Sequence, residues 1–174
     1  ALACDAVKKK FGAGARLKTF SLGVGESQDI LNARLVARHL DTDYHEYIVS
    51  LEELLKVLPE VVYYLESFDP SLVRSSASNF LISQYARREG TQVLLSGEGG
   101  DEVFCGYIYL KDYPAEEIFA RQMECIGFLQ KNASLRLDRM NQCHSVKVVA
   151  PLISGELLDY SLAIPPEYKQ KPEG

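Results

Sequence analysis

The chain has no Cys-x-x-Cys pair. Its four cysteines, Cys4, Cys105, Cys125 and Cys143, are scattered, which gives no support to a zinc ribbon or a dithiol redox motif. Reduced, structural thiols in a cytoplasmic protein are the expectation. Histidine is scarce, and His39, His45 and His144 share no metal-ligand spacing. His45, set between strand apolars, reads as a hydrogen-bonded structural group, and no metal site built from protein side chains alone is expected. An excess of basic charge is also missing. The formal net charge is −5, from 19 Lys and Arg against 24 Asp and Glu, which argues against a nucleic-acid or anionic-membrane surface but leaves a local anion site open. The longest apolar runs are only a few residues and no basic, apolar leader stands in front of them, so neither a membrane span nor a secretion signal is expected. Internal repeats and low-complexity tracts are lacking too. What is present, 47% hydrophobic and 25% charged residues in a chain of 174, suffices for one ordinary core and predicts a single domain over residues 1–174.

The pattern along the chain alternates between helical and extended. Leu2, Ala3, Ala6 and Val7 recur at helical spacing, and Gly12 and Gly14 end that helix. "LKTFSLGV", Leu17 to Val24, reads as a strand. Ser27 caps a helix with Ile30, Ala33, Ala37 and Leu40 on one face. "YHEYIV", Tyr44 to Val49, is a second strand. Ser50 and Glu53 then form a capping box for a helix carrying Leu51, Leu54, Leu55, Leu58, Val61, Val62 and Leu65, with Pro59 expected to kink or divide it. A further helix is predicted from Ser71 to Arg88, ended by Gly90, and "QVLL", Gln92 to Leu95, is a third strand. Strands alternating with helices of this length predict parallel pairing through right-handed crossovers. The fold class expected is therefore α/β, a doubly wound parallel sheet flanked by helices, with a mostly helical C-terminal part. In that part Ile118, Phe119, Met123, Ile126 and Leu129 form the expected buried stripe, and the tail "IPPEYKQKPEG" reads as a loop.

In open α/β sheets ligands lie beyond the carboxyl ends of the strands. The stretch that falls there is "LLSGEGGDEVFCGY", Leu94 to Tyr107. Gly97, Gly99 and Gly100 permit close backbone approach, so that amides can meet phosphate oxygens. Glu98 and Asp101 suit phosphate only with a divalent cation between, or else an acid/base or orienting role toward an amine. A glycine-rich turn that merely caps the next helix, with Asp101 and Glu102 at its start, explains the same spacing.

The run "LLSGEGGDEVFCGY" resembles the signature of the synthetase domain of glutamine-hydrolysing asparagine synthetases, a branch of the ATP-pyrophosphatase superfamily. "LKTFSLGV" with "ESQD" (Leu17 to Asp29), "DTDYHEYIVS" (Asp41 to Ser50) and "ESFDPSLVRSSA" (Glu66 to Ala77) resemble the family's second strand, third strand and substrate-side loop in the same order. Ordered agreement of this kind is more specific than a lone glycine loop. A weaker likeness runs from Leu135 through the tail.

The resemblance implies an enzyme that uses Mg-ATP to adenylate the side-chain carboxylate of aspartate, after which ammonia displaces AMP to give asparagine. The ammonia would come from a glutaminase domain or another source; nothing in this chain matches that domain, and Cys4, placed mid-helix, is not its nucleophile. Carried over by position, Leu22 would contact adenine, and Ser96, Gly97, Gly99 and Gly100 would meet the nucleotide. Glu98 would serve the acyl-adenylate stage, Asp101 would help hold substrate or metal, and Ser71 and Arg74, the arginine buried, would face phosphates and aspartate. Mg2+ and ATP are thus the expected cofactors, in the cytoplasm, with no nucleic acid or membrane partner, and a homodimer stays open. Two departures accompany the likeness. No Ser-Gly-Gly-x-Asp-Ser phosphate loop occurs in the chain, and the family's Arg-x-Pro-Phe-x-Asp element is matched by "VAPLIS", with Val149 for arginine and Ser154 for aspartate. A β-lactam synthetase-like enzyme and a noncatalytic nucleotide-binding or scaffold protein remain the alternatives.

Overall fold

Helix starts in the computed structural model, which describes residues 1–170, follow local chemistry. Helix α1 (Leu2–Phe11) stops at Gly12, whose φ is 102°. After strand β1 (Lys18–Val24), Ser27 accepts from the amide of Ile30 and opens α2 (Gln28–Leu40), which buries Ile30 and Ala37. Strand β2 (Asp43–Val49) lies parallel to β1, Lys18 opposite Asp43 and Val24 opposite Val49. The expected capping box starts α3 (Leu51–Leu65): Ser50 Oγ accepts from the Glu53 amide at 3.1 Å, and Glu53 accepts from the Ser50 amide at 2.7 Å. Those acceptors satisfy amides that a helix start leaves bare, and the Ser50 amide and hydroxyl donating to Glu53 hold its carboxyl below the usual range. Helix α3 runs unbroken through Pro59, so the expected division does not occur. Asp69 accepts from Leu72 and Pro70 takes the first helical position of α4 (Pro70–Arg88), where its missing N–H costs nothing.

The remaining elements are shorter. Strand β3 (Val93–Leu95) leads into α5 (Gly100–Phe104), a 3-10 turn over Ile108–Asp112, α6 (Ala115–Leu129), a π-helical turn over Gln130–Ser134 and α7 (Leu135–Gln142). Strand β4 (Lys147–Val149) pairs in parallel with β3 and was not foreseen; a 3-10 turn over Pro151–Ile153, α8 (Gly155–Ala163) and α9 (Pro166–Lys169) come after it. The tail expected as a loop contains α9, and its last four residues lie outside the described ones.

All strand pairing among the described residues is parallel, as an α/β fold requires. The single doubly wound sheet is not seen. Strand β1 bonds to β2 and β3 bonds to β4, giving two separate ribbons. Leu17 to Phe20, leading into and along β1, and Val93 to Leu95 of β3 instead line a common groove of about 440 Å³. Pairing across that groove is a long-range matter that local patterning does not encode.

The main core joins Val61 and Leu65 of α3, Leu72, Ala77 and Phe80 of α4 and Met140 of α7. A smaller one gathers Cys105, Leu110 and Ile118 under the residues that come after the glycine bend. The α6 stripe needs correction. Phe119 and Met123 are 51% and 43% exposed, and the buried positions are Ile118, Gln122 and Leu129. Gln122 occupies a core position because both ends of its amide are used: Nε2 donates to the Val103 carbonyl at 2.6 Å, and Oε1 accepts from Lys169 Nζ at 2.9 Å. Burying an amide is tolerable on those terms.

His144 stands edge-on to Phe80, ring centroids 4.3 Å apart. Burial pushes its pKa below the ordinary imidazole value, against the opposing pull of Glu60 and with a smaller push from Arg88. The unfolded chain therefore takes up a proton near pH 6.5, before the folded chain does, and stability falls as pH drops through that value. Between pH 7.5 and 5.5 the full-length protein should lose about 1–3 °C of Tm that a His144→Gln variant does not lose. Parallel melting profiles for the two proteins would remove His144 from this role.

Candidate active site

The bend begins where β3 ends. Ser96 comes directly after Leu95, and its amide donates to the Val149 carbonyl of β4 at 2.9 Å, which carries the ladder one step past the strand. Ser96 Oγ then accepts from the Glu98 amide at 3.2 Å, and the Gly97 carbonyl accepts from Gly100 at 3.3 Å. Gly99, with φ 90°, turns the chain into the left-handed region and opens α5, placing Asp101 and Glu102 in its first turn. Both readings of the glycine run thus coexist: it starts a helix, and it forms a concave surface.

That concavity, about 290 Å³, is lined by Ser96, Gly97, Glu98, Gly99, Gly100, Asp101, Glu102 and Tyr107. Ser96 and Glu98 also line the larger groove, where Phe20, Ile82 and Leu94 give an apolar wall. Glu98 therefore stands at the junction of an apolar slot and a polar pocket at a strand's carboxyl end. Asp101 is exposed, and its carboxylate packs against Gly106, where a β-carbon would collide with it. Tyr107 donates to Glu102 Oε1 at 2.7 Å; burial and that bond raise its pKa, which keeps the hydroxyl protonated.

The "VAPLIS" segment supports the bend from below. Ile153 occupies the space a β-carbon at Gly99 would need, and Leu152 Cδ1 lies 3.2 Å from the β-carbon position of Gly100. So this segment keeps its packing role although Val149 and Ser154 carry no charge.

The other expected residues gather less closely. Helix α4 runs antiparallel to β2: Glu89 lies 3.5 Å from His45, and the Tyr85 and Tyr47 rings stack 4.1 Å apart. Arg74 is three turns before Tyr85, about 16 Å at 1.5 Å per residue, while β2 extends only two residues beyond Tyr47. Ser71 and Arg74 thus project past the carboxyl end of β2. Both are exposed, contrary to the buried arginine expected, and neither lines the bend pocket or the groove. Leu22 is half-buried on β1, opposite Tyr47, and lines neither.

Local reading missed a basic residue at the bend. Arg136 of α7 reaches Glu98 Oε1 with Nη2 at 2.6 Å. A signal existed: Arg136, Met140 and Cys143 share one helix face, so this arginine sits on an apolar stripe where a cation needs a partner.

Among the described residues no group of three or more His, Cys, Asp or Glu could hold a metal ion. Mg2+ does not require one, since it is commonly held by one or two carboxylates together with phosphate oxygens, and the exposed Asp101 at the pocket fits that mode.

A family model described as asparagine synthase matches residues 2–124. The glutamine-hydrolysing asparagine synthetases of Bos taurus and Homo sapiens are each 36% identical to this chain, over 160 and 155 residues. These matches cover 91% and 88% of the chain and 28% of each relative. A probable glutamine-hydrolysing asparagine synthetase of Schizosaccharomyces pombe is 33% identical over 157 residues, 88% of this chain and 28% of that protein. The chain thus spans little more than a quarter of the length of these relatives. The family match takes in α1 to β3, the glycine bend and most of α6, and on that coverage the chain belongs to the asparagine synthase family.

Proposed function

We propose that this chain is the part of an ATP-dependent asparagine synthetase that binds ATP and aspartate. A carboxylate oxygen of the aspartate side chain attacks the α-phosphorus of ATP, the bond to the β-phosphate breaks, and pyrophosphate leaves. Ammonia then attacks the acyl carbon of β-aspartyl-AMP, AMP departs, and a proton leaves the nitrogen. The observation that carries this reading is the position of Glu98, at the junction of the apolar groove and the polar bend pocket. A base fits the groove, and a carboxylate at its mouth can stabilise the ammonium or take its proton. Mg2+, arriving with ATP and held by Asp101 and phosphate oxygens, would offset charge on the departing pyrophosphate. The amides of Gly97, Gly99 and Gly100 would approach the nucleotide, and Ser71 and Arg74, beyond the carboxyl end of β2, would meet its outer phosphates or aspartate. The relatives are named as glutamine-hydrolysing, and a glutaminase domain is proposed as the ammonia source here too.

A noncatalytic reading has its own support. The bend pocket carries Glu98, Asp101 and Glu102, and a cation beside it, Arg136, is already paired. One experiment on the full-length protein separates the two. Aspartate-dependent exchange of labelled pyrophosphate into ATP with Mg2+, then release of AMP and asparagine on adding ammonia or glutamine, is the expected result. Calorimetric binding of ATP without exchange would establish the scaffold reading in its place. Product from a different acyl substrate, with none from aspartate, would favour the β-lactam synthetase-like alternative. A cytoplasmic location belongs to the same proposal; no helix among the described residues is long and apolar enough to cross a membrane.

A further inference from the structure

We infer that Arg136 is a positioning residue that fixes the Glu98 carboxylate at the mouth of the groove, an inference that rests on the synthetase reading above. Glu98 sits on backbone that cannot fix it alone. Glycines flank it on both sides, and its side chain is 27% exposed. Arg136 comes from the opposite kind of surroundings. It is 14% exposed and belongs to α7, a helix anchored by the buried Leu137 and Met140, the latter in the main core. The Nη2 to Oε1 distance of 2.6 Å therefore ties a carboxylate on a glycine bend to a packed helix.

The approach to α7 explains how a cation reaches this place. The π-helical turn Gln130–Ser134 lies directly before it. A π-turn takes up an extra residue and so rotates the next helix relative to the preceding one. After that offset, Leu137 and Met140 enter the core while Arg136 meets the bend. Val149, at the end of β4, has no charge to offer, and what it supplies is its carbonyl, which accepts from the Ser96 amide. Strand β4 thus holds the backbone of the bend and α7 holds its carboxylate.

A carboxylate that must meet a developing ammonium works only if it is already in place, because displacement by about 1 Å costs on the order of 100-fold in rate. Arginine is suited to this task, since its planar guanidinium keeps its charge and its direction better than a lysine ammonium does.

The test is a double-mutant cycle on the full-length protein, read by steady-state asparagine formation from ATP, aspartate and ammonia. Arg136→Met should lower kcat about 10- to 100-fold with the KM values for ATP and aspartate within twofold. Arg136→Lys should recover part of that loss. In a Glu98→Gln background Arg136→Met should add nothing further, because its effect passes through Glu98. Three results would overturn the inference while leaving the synthetase reading intact: kcat of Arg136→Met within twofold of wild type, losses that multiply in the double variant, or a tenfold rise in KM for ATP at constant kcat. If Arg136→Met does not fold, Arg136→Lys with unchanged kcat and a normal Tm overturns it equally. A wild-type protein that forms no AMP from ATP and aspartate overturns the synthetase reading and the inference together.

Discussion

Glu98→Gln in the full-length protein should lower asparagine formation by about 10²–10⁴-fold, the range seen when a positioned acid/base or charge-stabilising group is removed. The substitution keeps size and shape and removes only the charge. Two consequences separate by measurement. A catalytic loss appears in kcat, with KM for ATP nearly unchanged, because the groove proposed for the base is lined mainly by groups other than Glu98. A structural loss appears in Tm, because Arg136 is left without its counterion at 14% exposure. Exposed ion pairs contribute about 0–1 kcal/mol, and partial burial of both partners puts this pair at roughly 1 kcal/mol. In a full-length enzyme that is a shift of a few degrees, too small to account for a hundredfold rate loss at 25 °C. Near-normal aspartate-dependent pyrophosphate exchange by the variant would take Glu98 out of adenylation, and normal product formation would take it out of the reaction.

Features set by neighbours in the chain are legible from the sequence alone. The Ser50–Glu53 capping box, the Ser27 cap and the Gly12 stop arise from contacts a few positions apart, and β1, β2 and β3 follow, to within a residue, apolar runs bounded by turn-forming residues. The glycine bend is legible for a different reason: so many glycines and carboxylates after a strand end have few uses. The features that escape such a reading depend on partners distant in sequence. Strand β4 is three residues long and exists because the Lys147 amide reaches the Gln92 carbonyl and the Ser96 amide reaches that of Val149. Gln122 displaces Phe119 and Met123 from the buried face because its amide finds partners on α5 and α9. Arg136 escapes notice because the carboxylate that explains it is on another element. The continuity of the sheet fails for the same reason, pairing between edges being a property of the whole assembly.

Gly99→Ala should be the most damaging single-methyl change in the bend, costing about 2–4 kcal/mol and lowering Tm of the full-length protein by several degrees, with activity lost in the same variant. Two independent penalties meet at this position. At φ 90° the backbone is in a region that L-residues rarely adopt; that strain is about 1 kcal/mol or more by itself. The added methyl would also overlap the Ile153 side chain, which cannot simply swing away because Pro151–Ile153 forms a turn packed against α5. Relief then requires either the bend or the "VAPLIS" segment to move, and each movement displaces Glu98 or the Val149 carbonyl that anchors Ser96. The steric share can be isolated by pairing Gly99→Ala with Ile153→Ala. The second change opens space, so the double variant should regain part of the Tm, while the share due to positive φ stays lost. Gly97→Ala is the internal control: it has neither a positive φ nor an atom within 4 Å of its β-carbon position, so its Tm should stay within about 1 °C of wild type. If Gly99→Ala melts as the wild type does, the bend is softer than its contacts with Ile153 and Leu152 require, and a rigid support for Glu98 must be sought elsewhere than in the segment beneath it.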